Sequence, residues 1–541
     1  MPKFIFVVGG VMSGVGKGTS TASIGKLLES KGYHVTAVKI DPYVNVDAGT
    51  MNPIEHGEVF VTDDGDETDQ DIGSYERYLD TTIYKDNYMT TGRVYQTVIE
   101  RERALGYNGR CVQVVPHIPE EVIRRLQNAA KKAKADIVMV EVGGTVGEYE
   151  NILFMEAARM MKLKRPKDVL FILVSYLPIP GRLGEMKTKP TQHAARTLNS
   201  VGVQADFLVA RSERAIDEAR KRKMSVFCNM APEDIISSPD VESVYRVPMI
   251  YDEQKVAEKI LKKFGLRVKK NTLSNWKKWA DSITTLDRPV NIAVIGKYFE
   301  TGDYILSDVY FSVIESLKHA SWANGRKPVL TWLNSEEYER DPKKVRELSK
   351  YDGVVVPGGF GSRGVEGKIT AIRYVREQNI PYFGLCYGMQ LAVIEFARNV
   401  LGIADAHTAE VNPKTSNPII HIMPGQEKNI ASNRYGGTMR LGAYPCVLTR
   451  GTKVAKAYGV KEISERHRHR YEVNNDYRQQ LEGAGLLIAG LSPDKRLVEI
   501  VELKDHPFFV GTQFHPEFKT RPMKPHPLFN AFIAAAIKAR E

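Results

Sequence analysis

With 541 residues and 43% apolar composition, the chain is longer than one hydrophobic core serves, so two or more domains are expected, each burying its own core. Its formal net charge of +11 is scattered among 65 acidic residues without RNA-binding aromatic motifs, which argues against nucleic acid and favours anionic small molecules as partners. Cys111, Cys228, Cys386 and Cys446 lie far apart with no CxxC pair, which argues against zinc and fits a reducing cytoplasm.

The first element is an apolar run from Phe4 to Val8, too short for a signal peptide, and no stretch approaches the length of a spanning helix, so no membrane is expected. A glycine-rich loop follows, from Gly9 to Thr19, and then a helical pattern over Ala22–Ser30. Further buried-strand runs at Val35–Ile40, Ile137–Val142, Val169–Val174 and Phe207–Ala210 alternate with helical patterns, the rhythm of a doubly wound parallel sheet. Residues 1–265 read as one α/β domain. Residues 266–289 turn polar and basic around Trp276-Lys277-Lys278-Trp279 and read as a linker containing a helix. The rhythm restarts at Asn291–Ile295, Val329–Leu333, Gly353–Val356 and Tyr382–Leu385 and ends in a strand-rich stretch through Val510–Gln513, giving a second α/β domain over 290–541. No internal repeat or low-complexity tract interrupts it.

The front loop has the parts of a phosphate cradle: a strand, glycines that free backbone N–H groups, a helix N-terminus, and Lys17 to neutralise charge. It departs from GxxxxGK[ST], because Val11 stands where the first glycine belongs and Gly18 where the metal-binding hydroxyl belongs; Thr19 or Ser13 would have to compensate. A magnesium nucleotide also needs carboxylates at strand ends. Asp69 and Asp71 lie in an acidic loop, and Glu141 ends an apolar strand, where an unpaired charge would be costly.

Near the other end, Gly384-Leu385-Cys386-Tyr387-Gly388 follows a strand in the manner of a nucleophile elbow, whose glycines permit a tight strand-to-helix turn that lifts the sulfur clear of the sheet. A thiolate needs a base, and His515, with Glu517 to orient it, can supply one.

The chain resembles the CTP synthase family from Phe4 to about Phe532. The motifs that carry this are Asp41 to Asp47 (DPYVNVD), Glu55 to Val61 (EHGEVFV), Glu141 to Gly147 (EVGGTVG), Lys187 to Gln192 (KTKPTQ) and Arg466 to Val473 (RHRHRYEV). The front loop's departure from the common pattern is this family's own form. The resemblance implies a dethiobiotin-synthetase-like amidoligase domain of P-loop type followed by a class I glutaminase, together making CTP from UTP, ATP and glutamine in pyrimidine biosynthesis. It implies that Gly14, Val15, Gly16, Lys17, Gly18, Thr19 and Lys39 hold the ATP phosphates, Asp240 and Val241 the adenine, and Asp71 and Glu141 the Mg2+ ion, with Asp71 also touching ATP. Ser13, Lys187, Thr188, Lys189, Pro190, Thr191, Gln192 and Lys223 would hold the pyrimidine nucleotide, and Glu148, Tyr149 and Glu150 product CTP. Gly359, Tyr387, Gly388, Met389, Gln390, Glu410 and Arg470 would bind glutamine. The resemblance also implies GTP as activator, CTP as inhibitor and a homotetramer. It places an ammonia inlet at Pro53–Val59, and the glycines of Gly436–Gly442 suit a moving lid.

Two other readings compete. Decay to a silent nucleotide sensor or filament scaffold usually removes at least one of Lys17, Asp71, Glu141, Cys386, His515 and Glu517, yet all are present. An amidoligase acting on a carboxylate, such as a cobyrinate amidase, is disfavoured by Lys187–Gln192 and the intact His515-Pro516-Glu517.

Overall fold

A computed structural model of the chain describes residues 1–181, 184–296, 300–301, 304–305, 307–432 and 435–541. The chain forms two compact units, Met1–Ala48 with Asp71–Thr284, and Gly49–Gln70 with Thr285–Glu541. No described helix is long and apolar enough to cross a membrane.

The first unit is built on a seven-stranded sheet. Its strands lie side by side in the order Tyr88–Thr90, Val35–Asp41, Ile137–Thr145, Lys3–Gly10, Val169–Tyr176, Phe207–Ser212, Ile235–Pro239. All neighbours run parallel. The central strands read as unbroken apolar runs because helices cover both sheet faces, so both sides of each strand are buried. Lys3–Gly10 lies between Ile137–Thr145 and Val169–Tyr176, where successive strands diverge to opposite sides. The loop leaving its carboxyl end therefore opens at a topological switch point, the usual crevice for a ligand in such a sheet. The two edge strands, Tyr88–Thr90 and Ile235–Pro239, are too short or too polar to stand out in the sequence.

Residues 266–284 pack on this first unit. The helix Ser274–Ser282 is anchored by Trp276, whose indole N–H donates to the Tyr245 carbonyl at 2.9 Å, with Trp279 edge-on to the Tyr245 ring.

The second unit has a nine-stranded sheet ordered Lys327–Asn334, Pro289–Gly296, Gly353–Val356, Tyr382–Leu385, Phe509–Thr512, Val498–Leu503, Leu486–Leu491, Arg440–Leu448, Glu462–His469. The first five strands are parallel. The remaining neighbours are antiparallel. Separate apolar clusters fill its two faces, one around Val356, Tyr387 and Met389 and the other around Phe383, Val510 and Phe532. Residues Gly49–Gln70, though they interrupt the first unit in sequence, belong to this second unit. They carry a small hairpin, Val59–Val61 with Glu67–Asp69, whose Phe60 ring meets Phe518 edge-on.

Tyr382–Leu385 passes into the helix Tyr387–Asn399 through Cys386. The turn is tight: a Cβ at Gly388 would lie 2.1 Å from the Val356 carbonyl oxygen, and one at Gly384 would lie 2.7 Å from the Tyr382 hydroxyl. Both neighbours are fixed by the core, so neither position tolerates a side chain. Gly388→Ala is expected to destabilise the second unit by about 3 kcal/mol through overpacking, read as a drop in the midpoint of that unit's thermal transition.

Candidate functional site

The first candidate site grows from the loop after Lys3–Gly10. Val11, Gly14 and Gly16 take positive φ values, so three residues of left-handed backbone are packed into the approach to the helix Lys17–Ser30. This curls the loop around the helix N-terminus, whose free N–H groups favour an anion. Lys17 is buried, and its ammonium donates to the Gly144 carbonyl at 2.7 Å. Burial pushes its pKa down, against the pull of Glu141.

Beside it, Lys39 sits between two carboxylates. It is bonded to Asp71 Oδ2, and it donates to Glu141 Oε1 at 3.1 Å. Glu141 is fully buried at its strand end, and its second oxygen accepts the Tyr75 hydroxyl. Burial, and then the Asp71 charge, push the Glu141 pKa up, while Lys39 and Lys17 hold it back. A Cβ at Gly18 would fall 2.2 Å from Asp71 Oδ1. The hydroxyl residue expected at that position is therefore displaced by a carboxylate arriving from another helix. Two hard carboxylate donors beside a glycine-rich loop and a helix N-terminus are a suitable donor set for Mg2+.

A small pocket of about 140 Å³ adjoins this loop, lined by Gly16, Thr19, Arg211, Ser238, Asp240, Val241 and Tyr251 among others. Arg211 pairs with Asp240 at 2.9 Å, and the buried Tyr251 hydroxyl lies 3.1 Å from Ser20 Oγ and 3.0 Å from Ser238 Oγ. Asp240 and Val241 thus share a cavity with Gly16 and Thr19. Arg211, Ser238 and Tyr251 join them without any local sequence motif that would have marked them.

The remaining residues read as nucleotide ligands are more dispersed. Glu148 accepts the Thr145 hydroxyl, and Gly144 leaves room for its carboxylate. Thr188, Thr191 and Gln192 are buried at the start of the helix Lys189–Ser200, where Gln192 Nε2 donates to Thr188 Oγ1 at 3.0 Å. Lys187 pairs with Glu185 at 2.6 Å, and Lys187 is the main cause, with Lys223 contributing, of a lowered Glu185 pKa. Ser13, Tyr149, Glu150, Lys189 and Lys223 are exposed and do not line the pocket beside the loop.

The second candidate site is a cavity of about 440 Å³ in the second unit, with Cys386 in its wall. Cys386 has φ 48° and ψ −98°, a conformation that costs a non-glycine residue energy and is held by the packing around Gly384 and Gly388. Its N–H donates to the Thr512 carbonyl at 2.6 Å. Gln513 Nε2 lies 3.6 Å from the sulfur, and the sulfur lies 3.8 Å from the Arg468 carbonyl. His515 Nδ1 meets Glu517 Oε1 at 2.7 Å, the ring stacks on Phe518, and buried Nε2 is left without a hydrogen-bond partner. Burial alone would depress the His515 pKa. Glu517 and then Cys386 outweigh it and raise the value to about 10. The ring is an imidazolium at neutral pH, with one nitrogen oriented by a carboxylate and the other aimed into the cavity.

Gly359, Tyr387, Gln390, Glu410 and Arg470 line the same cavity. Glu410 accepts the Gly361 N–H at 2.8 Å, and Arg470 Nη1 donates to Gln426 Oε1 and Thr438 Oγ1 at 2.8 Å each. Gly388 and Met389 do not line it: the helix turns Gly388 onto Val356 and Met389 onto Gly511, inside the core. Pro53, Glu58 and Val59 contribute to the wall from the inserted segment. Gln513, Tyr435 and Arg468 are site residues that the sequence alone did not single out, although Gln513 stands two places before His515, just past the end of the strand Phe509–Thr512.

Comparison with known proteins matches residues 3–266 to the family described as "CTP synthase N-terminus" and residues 305–535 to "Glutamine amidotransferase class-I". The chain is 48% identical to the CTP synthase of Caldanaerobacter subterraneus, over 100% of this chain and 99% of that one. It is 49% identical to the CTP synthase of Thermococcus gammatolerans, over 99% of each. Among solved structures, the Trypanosoma brucei CTPS glutaminase domain with bound acivicin is 40% identical, with a TM-score of 0.43 over 46% of this chain and 94% of that one.

Because the His515 pKa is raised above the ordinary 6.5, the stability contributed by its pairing is fully present below pH 6.5 and is lost as pH rises through about 10. The wild-type chain should therefore lose stability relative to Glu517→Gln across that window. Urea unfolding midpoints of the two proteins between pH 6 and pH 10.5 measure this, and a constant difference between them would contradict the assignment.

Proposed function

This chain belongs to the CTP synthase family, and we propose that it aminates UTP at the expense of ATP with ammonia that its own second site releases from glutamine. The observation that carries the reading is the joint presence of a charge-balanced phosphate loop and a cavity holding an elbow cysteine beside an oriented imidazolium. We assign residues 1–265 to the amidoligase domain, 266–289 to the linker and 290–541 to the glutaminase, with Gly49–Gln70 of the first stretch folding into the compact unit of the last and 266–284 into that of the first.

In the amidoligase, the loop N–H groups, Lys17 and Lys39 receive the ATP phosphates, and Asp240 and Val241 border the adenine. Asp71 and Glu141 would hold Mg2+, which when bound would neutralise charge on the phosphoryl oxygens. The 4-oxygen of UTP is a poor leaving group, so its phosphorylation by ATP gives ammonia a phosphate to displace. Lys17 and Lys39 supply positive charge where the transferring phosphoryl group accumulates negative charge. Lys187–Gln192 and Lys223 take the pyrimidine triphosphate, and Glu148–Glu150 meet product CTP.

In the glutaminase, Glu410 and Arg470 carry charges complementary to the amino and carboxyl groups of glutamine. The Cys386 sulfur attacks the side-chain amide, and His515 protonates the departing ammonia while Glu517 holds the ring. The N–H groups of Gly359 and Tyr387 stabilise the oxyanion, and water releases glutamate. Val59 and its neighbours in the cavity wall form the ammonia inlet. Activation by GTP, inhibition by CTP, a homotetramer and a cytoplasmic location complete the proposal on family grounds.

Cys386→Ala is expected to abolish CTP formation from glutamine while leaving synthesis from added ammonium within about twofold of wild type; equal loss of both would refute two separable centres. Gly18→Ala gives the complementary result. Its Cβ collides with Asp71, so CTP formation should fall at least about a hundredfold with either nitrogen source, while glutamate production from glutamine persists.

A further inference from the structure

The strand Glu462–His469 touches the catalytic pair with its backbone. The Arg466 carbonyl accepts the His515 N–H at 2.8 Å, and the Arg468 carbonyl lies 3.8 Å from Cys386 Sγ. The side chains of the same two arginines grip the inserted segment. Arg466 Nε donates to Asp63 Oδ1 at 2.5 Å, and Arg468 Nε donates to Glu67 Oε1 at 2.8 Å. The other Glu67 oxygen accepts the Gly437 N–H at 3.3 Å, from the loop whose Thr438 hydroxyl accepts a hydrogen bond from Arg470. Glu67 is buried, and a Cβ at Gly49 would fall 2.1 Å from Glu67 Oε2, so the segment is shaped around this carboxylate.

Burial of an ion pair is a weak source of net stability, because desolvation offsets the attraction, whereas its directional geometry fixes position well. Here the fixed object is a carbonyl against the nucleophile. We infer that Glu67 is a positioning residue for glutamine hydrolysis: through Arg468 it sets the backbone against which Cys386 is aligned, and through Gly437 it sets the loop that supports Arg470. This inference rests on the reading of Cys386 as the glutaminase nucleophile. It adds that the segment Gly49–Gln70 controls the competence of that nucleophile, beyond lining its cavity.

The test compares Glu67→Gln and the charge-conserving Glu67→Asp with wild type and with Cys386→Ala. Glutamine hydrolysis in wild type, abolished in Cys386→Ala, establishes the underlying reading by itself. Given that, Glu67→Gln should lower kcat for glutamine hydrolysis about tenfold, since a misplacement of about 1 Å can cost on the order of a hundredfold and the shift expected here is smaller. It should slow alkylation of Cys386 by iodoacetamide, which needs no glutamine site, by a similar factor, and leave ammonium-dependent CTP formation within twofold. Glu67→Asp should show both losses to a smaller extent. The inference is overturned if either variant keeps wild-type kcat and wild-type alkylation, if only KM for glutamine changes, or if ammonium-dependent synthesis falls in parallel. Should Glu67→Gln not fold, the same readings on Glu67→Asp decide.

Discussion

A buried parallel strand has to leave its sheet at the carboxyl end, and when a helix begins within a few residues its unpaired N–H groups face whatever sits there. Both candidate sites of this chain are built on that junction. In the first unit the strand Lys3–Gly10 opens into a wide glycine loop before the helix Lys17–Ser30, leaving room for a chain of phosphates. In the second unit one residue, Cys386, separates the strand Tyr382–Leu385 from the helix Tyr387–Asn399, leaving room only for a sulfur atom. The length of the turn thus sets how much room is left in front of the helix end.

The price of these junctions is local strain and buried charge, and both are absorbed by neighbours. The positive φ of Cys386 persists because side chains at 384 and 388 would clash with the core, so the turn has no relaxed alternative. Glu141 and Lys39 survive burial because each has an opposite charge within reach, a balance that a bound metal and polyphosphate would replace rather than disrupt. The His515 imidazolium depends on Glu517 in the same way.

Much of this was legible in the sequence because it is local. Unbroken apolar runs mark the central strands, and Gly384, Cys386 and Gly388 mark a sharp turn. What escaped notice is non-local. Glu67 and Arg468 are 401 positions apart, and nothing in Glu67-Thr68-Asp69 distinguishes a clamp from a solvated acidic loop. Arg466-His467-Arg468-His469-Arg470 is conspicuous as a string, yet its meaning lies in the alternation of a strand. His467 turns to buried Glu499, while Arg466 and Arg468 turn to Asp63 and Glu67. The family resemblance names Met389 among the glutamine ligands, whereas helical geometry sends its side chain into the core.

The affiliation of Gly49–Gln70 also bears on how such a chain can be recombined. The break at the linker looks like a natural seam for exchanging one half with a relative's. A fragment taken from there to the C-terminus would leave Arg466 and Arg468 without the carboxylates of Asp63 and Glu67. The unit of inheritance on the glutaminase side is therefore two separate stretches of sequence, and a chimaera that respects the fold must transplant both together.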